Sequence, residues 1–375
     1  MTMVSTMSTS RSLGRTRGEI VRLAHRGLGV RDFSLAAARA LGRTVPFDGV
    51  CVLTVDPATL VPTGEVVENG LPPAATEQLT DIEVHQPDHN KFAALARSAR
   101  PAASLSDATE GRLDRSLRHR ELRRPSGFED ELRAVLVADG SAWGALTLLR
   151  ERGAPHFTST EVRRVAAVAS SLAEGLRRAQ LLDEPAPGDD TAVGMLLLAG
   201  DDSIERANPA ALELLDELGP RAADDERVPI VIRAIASRAR IAAAEGADGA
   251  ALGGAPEAQI ARARLRTGTG RWLVVHGSLM GDGPGAPVAV VLQPARAAEL
   301  APLMAAAYGL TDREQKVSQL VAAGSSTAEI AGRLHLSAWT VQDHLKAIFA
   351  KTGTGTRGEL VARLFVDHPA ATPTL

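Results

Sequence analysis

The chain has 375 residues, of which 45% are hydrophobic and 23% are charged, and its formal net charge is −3. This length predicts two or three domains, each with its own core. The single cysteine, Cys51, excludes an internal disulfide and a cysteine-rich zinc site. No apolar run approaches 18 residues, so we expect a soluble, cytoplasmic protein that crosses no membrane.

The N-terminal region begins with a stretch rich in Ser, Thr and Arg that lacks an apolar segment. Residues 1–17 are therefore predicted to form a disordered tail and not a secretory signal. Helices are predicted at 19–27 and near 34–41, and the apolar run Gly49–Val55 predicts a strand.

A predicted hairpin and a long helix close this region. Apolar runs at 132–138 and 143–149 flank Asp139-Gly140, a dipeptide typical of tight hairpins. Thr158-x-x-Glu161 is a capping box, in which two side chains satisfy free backbone N–H groups at a helix start. It precedes an amphipathic helix that continues through Arg178.

The order of these elements resembles a GAF domain, and residues 18–182 are predicted to form a GAF-like α+β sensor domain. The resemblance implies a pocket for a small-molecule signal between the sheet and the segments that cover it. The sequence does not identify the ligand-binding residues. Its histidines match no compact metal-ligand spacing, and Cys51 within an apolar strand favours a packed thiol. We therefore predict no metal and no cofactor.

A middle region follows an acidic, proline-containing linker predicted at 183–190. Strands are predicted at 194–199 and Ile204–Ala207, and Asn208-Pro209 is typical of a helix start. The remaining elements are one helix and three strands: 228–243, 264–266, 271–279 and 288–293. This order resembles a PAS-like α+β domain, predicted to span 191–294.

Motifs of common enzymes are missing from these two regions. The chain has no Gly-x-Ser-x-Gly elbow, no His-Glu-x-x-His and no Walker A sequence. The Asp201-Asp202 pair lacks the βα repeats that would surround a phosphoacceptor aspartate. We predict no catalytic residues and expect that the protein is not an enzyme.

The C-terminal region is predicted to contain a linker at 295–309, four short helices within 310–366 and a tail at 367–375. Three of these helices begin with capping boxes: Thr311-x-x-Glu314, Ser326-x-x-Glu329 and Thr356-x-x-Glu359. The third helix, predicted at 338–351, follows Ser337, which is also a good N-cap residue. A three-residue turn at 335–337 before it predicts a helix-turn-helix.

The helix predicted at 338–351 has two different faces. One is apolar and suited to packing on the preceding helix: Val341, Leu345, Ile348 and Phe349. The other carries groups that can contact DNA: Trp339, Gln342, Asp343 and Lys346. Gln can pair with adenine, Lys with guanine or phosphate, and Asp with cytosine. An all-α DNA-binding domain is therefore predicted at 310–366.

Several short motifs in this domain are similar to the LuxR-type (NarL/FixJ-like) DNA-binding domain, among them Glu329-Ile330-Ala331, Thr340-Val341, His344-Leu345 and Lys351-Thr352-Gly353. The resemblance implies a four-helix domain whose third helix enters the major groove, and dimers that bind inverted repeats.

The same resemblance implies the roles of individual residues. Base contacts would come from Gln342, Asp343 and Lys346, and phosphate contacts from Thr340, Lys351 and Arg357. Many family members carry a basic residue where this chain has Gln342, and Asp343 is acidic. These two departures concern the DNA sequence that is recognised.

We therefore expect a sequence-specific transcriptional regulator that acts as a homodimer on double-stranded DNA. Its other expected partners are RNA polymerase and an unknown small-molecule or protein signal. Residues 310–365 carry seven basic and five acidic side chains, net +2, which predicts weak non-specific DNA binding. One alternative is a protein–protein adaptor with a degenerate helix-turn-helix, which acidic Asp343 favours. A sensor-type enzyme is the other, and the missing catalytic motifs argue against it.

Overall fold

The computed structural model describes residues 2–72, 75–181, 193–218, 228–248, 261–281 and 285–366. The linker predicted at 183–190 and the tail predicted at 367–375 lie outside these residues. The described chain forms two α+β domains, each with a five-stranded antiparallel sheet, and then a helical domain. None of the helices described is both long and apolar enough to span a bilayer.

In its described residues the first domain holds one sheet, six α-helices, a 3₁₀ turn at Leu113–Arg115 and a π-helical turn at His119–Arg123. Its strands pair in the order β2-β1-β5-β4-β3, with these bounds: β1 (Gly49–Val55), β2 (Pro62–Glu68), β3 (Ala102–Ser104), β4 (Phe128–Ala138) and β5 (Ser141–Glu151). Its helices are α1 (Thr2–Ala24), α2 (Val30–Gly42), α3 (Thr76–Val84), α4 (Phe92–Arg97), α5 (Leu105–Ala108) and α6 (Ser159–Leu181). Asp139 and Gly140 both have positive φ, +50° and +79°, which confirms the predicted tight hairpin.

Helices α2 and α6 cover one face of this sheet, and α1 packs against both of them. Leu132 of β4 and Leu148 of β5 point to that face and are fully buried. Helices α2 and α6 approach closely at Gly175, where a Cβ would lie 1.8 Å from the Phe33 ring. Any larger residue at position 175 would therefore separate the two helices.

Helix α1 corrects the expectation of a disordered tail at 1–17, because it begins at Thr2. Thr16 and Ile20 are buried, and α1 packs along α6. Within this polar segment Leu13, Thr16 and Ile20 share one helical face. Leu13 and Ile20 contact the domain core, and Thr16 is buried beside them.

The second domain repeats the sheet order of the first. Its strands pair as β7-β6-β10-β9-β8, which is again second, first, fifth, fourth, third in chain order. The elements are β6 (Gly194–Leu198), β7 (Ile204–Ala207), α7 (Pro209–Glu217), α8 (Ile230–Asp248), β8 (Arg262–Arg266), β9 (Trp272–Leu279) and β10 (Val288–Pro294). As predicted, Asn208 caps α7, and its side chain accepts from the Ala211 N–H at 2.9 Å.

The helical domain consists of α9 (Ala297–Ala307), α10 (Asp312–Ala322), α11 (Thr327–Leu334), α12 (Ala338–Thr352) and α13 (Arg357–Val361), followed by a π-helical turn at Ala362–Val366. Helix α9 corrects the linker predicted at 295–309. Pro302 favoured a linker, but Leu300, Leu303 and Met304 are buried in the core that α9 shares with its neighbours. Their tertiary burial overrides the local signal of the proline.

A buried ion pair joins the first two domains to α9. The Arg264 guanidinium on β8 donates from Nη2 to Asp56 Oδ1 at 2.8 Å and from Nε to Asp56 Oδ2 at 3.0 Å. Both side chains are at least nine-tenths buried. The same guanidinium donates from Nη1 to the Glu299 carbonyl of α9 at 3.2 Å. The two sheets and the helix that leads to the helical domain therefore meet at one arginine.

Candidate nucleic-acid interface

The helix-turn-helix is defined by side-chain caps. Ser326 and Glu329 form a reciprocal capping box at the start of α11, with N–H···O distances of 2.7 and 3.3 Å. Helix α11 ends at His335, which adopts the left-handed conformation at φ +52°. Ser337 then caps α12 by accepting from the Thr340 N–H at 3.0 Å. The predicted turn at 335–337 is confirmed.

The inward face of α12 packs against α10 and α11. Ile330, Val341 and Ile348 are fully buried, and Leu345 is almost so. Because this face is fixed in the domain core, residues on the opposite face of α12 must point outward. The orientation of the candidate reading face therefore follows from core packing.

The outward face brings together the four residues that periodicity placed there. Trp339 is 72% exposed, Gln342 is exposed, and the Lys346 and Asp343 side chains are 77% and 42% exposed. Lys346 Nζ lies 3.7 Å from Asp343 Oδ1. An exposed ion pair at this distance contributes little to stability. Lys346 can therefore leave the Asp343 carboxylate and bind a DNA phosphate or base instead. Thr340 is half-buried, and its Oγ1 lies 2.8 Å from Ser337 Oγ in the helix cap.

Lys351 and Arg357 lie apart from this face and bind within the protein. Lys351 Nζ donates to Glu314 Oε2 at 2.7 Å and to the Gly309 carbonyl at 2.9 Å. Arg357 donates to the Ser325 carbonyl at 2.7 Å and to Thr327 Oγ1 at 2.8 Å. The Lys351 bonds hold the end of α12 to the start of α10, and the Arg357 bonds hold the start of α13 to the start of α11. A phosphate contact at either residue stays a prediction and would share the side chain with these bonds.

We expect Lys351→Met to lower the free energy of unfolding by about 1 kcal/mol, because it leaves the nearly buried Glu314 without its cation. Urea unfolding followed by circular dichroism measures this. Lys316→Met, at an exposed lysine of α10, is the matched control and should have almost no effect. Equal stability of the two variants would show that the internal bonds of Lys351 contribute nothing.

A contact that the sequence did not predict connects the helical domain to the GAF-like domain. Gly309 lies between α9 and α10 at φ +65°, and a Cβ there would be 3.0 Å from Asp139 Oδ2. Asp139 belongs to the β4–β5 turn and accepts from Arg177 of α6 at 2.9 Å. Since Lys351 binds the Gly309 carbonyl, α12 is linked through one glycine to that turn. A glycine after a helix signals a C-cap, but nothing local identifies Asp139 as its neighbour.

The other face of the first sheet is where a signal pocket was expected. There β4 presents Glu131, whose carboxylate accepts from Arg118 Nε at 2.9 Å and from Arg123 Nε at 3.1 Å. Arg118 also pairs with Asp88 at 3.1 Å, and its side chain and that of Asp88 are fully buried. Burial opposes ionisation of Glu131, but the arginines outweigh it and lower its pKa well below the usual range. The sheet and its covering segments thus meet through a charge-compensated cluster.

Cys51 lies on the same face of the sheet as this cluster, because it pairs with Thr147 and, through it, with Arg133 in one row across the strands. Burial raises the pKa of the Cys51 thiol to about 12, with Glu65 adding to the rise. The thiol therefore stays protonated at neutral pH and is a poor nucleophile. Within the described ranges, no group of three or more His, Cys, Asp or Glu side chains could hold a metal ion.

Comparison with known proteins identifies two segments. The model of bacterial regulatory proteins of the luxR family matches residues 309–364, and the GAF domain model matches residues 19–176. The monoamine regulon transcriptional regulator of Klebsiella aerogenes is 44% identical over 66 residues. That match covers 18% of this chain and 28% of the relative, so the chain spans under a third of that relative's length.

Two solved structures match this chain at low sequence identity. The VqmA–ligand–DNA complex of Vibrio cholera is 18% identical, covering 47% of this chain and 84% of that one, with a TM-score of 0.22. Escherichia coli SdiA is 12% identical, covering 94% of this chain and 98% of that one, with a TM-score of 0.32. Scores this low do not establish a shared overall arrangement.

Proposed function

The chain carries a GAF domain at 19–176 and a LuxR-type domain at 309–364, and from this premise we propose that it is a transcriptional regulator that binds double-stranded DNA through α12. One observation carries the proposal. The face of α12 opposite its core holds a base-pairing amide, a cation and a large aromatic ring, all exposed, in Gln342, Lys346 and Trp339. The proposed function includes no enzymatic activity.

In the proposed mechanism α12 lies in the major groove with its N-terminal half toward the base edges. Gln342 has the donor and acceptor needed to pair with adenine, and Lys346, one turn further on, suits guanine or a phosphate. Asp343 can accept from a cytosine amino group, and in the free protein its Oδ1 lies 3.7 Å from Lys346 Nζ. A second copy of the chain would supply the other α12 for an inverted repeat.

The GAF and PAS-like domains would control this activity through α9 and Gly309. A signal can shift a regulator between two arrangements only if it binds one of them better. Asp56, Arg264 and the Glu299 carbonyl already join both sheets to α9. A small molecule or protein that favours another arrangement of the sheets would therefore move the base of the helical domain, and RNA polymerase would sense the change on DNA.

The test is in vitro selection of fragmented host DNA by the full chain, followed by affinity measurements on the enriched site. We expect Lys346→Ala to weaken binding roughly tenfold on all related sequences and to reduce the salt dependence by about one counterion. Gln342→Ala should relax the preference at one base pair, worth about 1–3 kcal/mol.

Lys316→Ala is the matched control, because it removes an exposed positive charge from α10 and leaves the α12 face intact. Its affinity should equal that of the parent. If Lys346→Ala and Gln342→Ala also bind like the parent, α12 does not read the DNA. If the parent enriches no sequence at low salt, the adaptor function takes the place of this proposal.

A further inference from the structure

Trp339 stands out among the apolar side chains of the described chain. At 72% it has the highest exposed fraction of the large hydrophobic residues there, above Met195 at 56% and Met280 at 55%. The other two tryptophans are packed: Trp143 is fully buried and Trp272 lies against the main core. Tryptophan is normally well buried because its ring removes a large area from water. Its place in the free protein therefore suggests a contact made in a complex.

The position of Trp339 in α12 indicates that this contact is made with DNA. It is the second residue of α12 after the N-cap Ser337, whose bond to the Thr340 N–H fixes the first turn of the helix. The side chains of Gln342 and Asp343 follow at three and four residues and so lie beside it. The first turn of a recognition helix is the part that contacts base edges. Trp339 therefore shares its surroundings with the residues that would read DNA.

The chemistry of the indole ring selects one feature of the major groove. Trp offers a broad apolar surface and a single N–H donor, and it has no charge to attract phosphates. The apolar group that bases present in the major groove is the C5-methyl of thymine. No Lys or Arg precedes Lys346 in α12, so the first turn of the helix offers an apolar surface and no fixed positive charge.

We propose that Trp339 reads a thymine methyl group in the recognised half-site, next to the base pair contacted by Gln342. This inference rests on the proposed DNA-binding function and deepens it, since it specifies a T·A pair at the start of the site. The contact would also remove the exposed ring from water, and that gain would be made only on the correct sequence.

The experiment measures the binding of parent and variant proteins to DNA sites with and without individual thymine methyl groups. Each thymine of the selected half-site is replaced in turn by deoxyuridine, which differs only in lacking the methyl group. Affinities of the full chain are then measured by fluorescence anisotropy. For the parent protein, one replacement should weaken binding about fourfold, the value of one buried methyl group, and the others should have no effect. Trp339→Ala should bind the thymine and deoxyuridine sites equally.

Two further variants test whether the methyl-dependent difference in affinity depends on the Trp339 ring. Lys346→Ala should bind both DNAs more weakly and still show the fourfold difference, because it removes charge and leaves the ring. Trp339→Phe should keep part of the difference, because it retains an aromatic ring. Trp339 is exposed, so its variants should unfold at the same urea concentration as the parent.

Three outcomes would overturn the proposal. The first is a parent that is insensitive to every deoxyuridine, which would make Trp339 a backbone or protein contact. The second is a Trp339→Ala variant that retains the fourfold difference, which would assign the methyl contact to another residue. A parent that binds no DNA would overturn it together with the proposed function, whereas the first two outcomes leave DNA binding intact.

Discussion

Glu131→Ala should lower the free energy of unfolding of the GAF domain by about 3–5 kcal/mol, the usual effect of breaking a buried ion pair from one side. Glu131 is the carboxylate that Arg118 and Arg123 share, and the exposed fractions of the three side chains are 1%, 0% and 6%. Without it, Arg118 keeps its ion pair with Asp88, and Arg123 loses the carboxylate to which its Nε donates.

Urea unfolding of the full chain, followed by circular dichroism, measures this effect. Glu110→Ala is the matched control, because Glu110 also pairs with two arginines but is 76% exposed. Its loss should change the stability by less than about 1 kcal/mol. If the two variants lose the same amount, burial of the Glu131 cluster has no energetic consequence.

The same residue predicts a dependence on pH. Burial opposes the charge of Glu131 and the arginines favour it more strongly, so its pKa is lower in the folded chain than its ordinary value of 4.5. A lowered folded-state pKa stabilises the protein above the unfolded-state value, and this stabilisation is lost as pH falls through the folded-state value. The difference between parent and Glu131→Ala should therefore be constant near neutral pH and narrow below about 4.

Arg264→Ala should loosen the first sheet from the second and from α9 and should cost about 3–5 kcal/mol of stability. The almost fully buried Asp56 carboxylate would lose its guanidinium partner. Of its bonds to Arg264, the Asp56 carboxylate would keep only the one from the backbone N–H at 2.7 Å. Hydrogen exchange should increase in β8, in α9 and around Asp56. Arg240→Ala serves as the control, since it breaks the Arg240–Asp202 pair inside the second domain.

Removing both charges separates the cost of leaving one buried charge unpaired from the cost of losing the side-chain packing. The double variant Asp56→Ala, Arg264→Ala should be more stable than the sum of the two single changes implies, because no unpaired charge remains. Exchange that rises in β8 alone, with α9 unchanged in Arg264→Ala, would show that the junction does not connect the sheets to the helical domain.

Elements governed by local chemistry were predictable from the sequence. The capping boxes of α10 and α11, the Ser337 cap and the Asp139-Gly140 turn each depend on residues at most a few positions apart. The α12 face was predictable for the same reason, since helical periodicity separates Trp339 from the buried side of the helix.

Features that depend on distant residues were not predictable in this way. Asp56 and Arg264 are separated by 208 positions, and no pattern near either residue indicates the other. The internal bonds of Lys351 to Glu314 and Gly309 likewise join residues 37 and 42 positions apart. Helices α1 and α9 form because tertiary burial outweighs a polar composition in one case and Pro302 in the other.

Gly309 relates the spacing of the DNA half-sites to the arrangement of the GAF domains. Its close approach to Asp139 and the bond from Lys351 to its carbonyl tie the end of α12 to the β4–β5 turn of the GAF domain. In a homodimer, the spacing between the two copies of α12 would then follow from how the GAF domains meet. Half-sites lie about 34–36 Å, one helical turn, apart in dimeric helix-turn-helix complexes. The distance between the two half-sites of the operator would then favour one arrangement of the sensor domains over others.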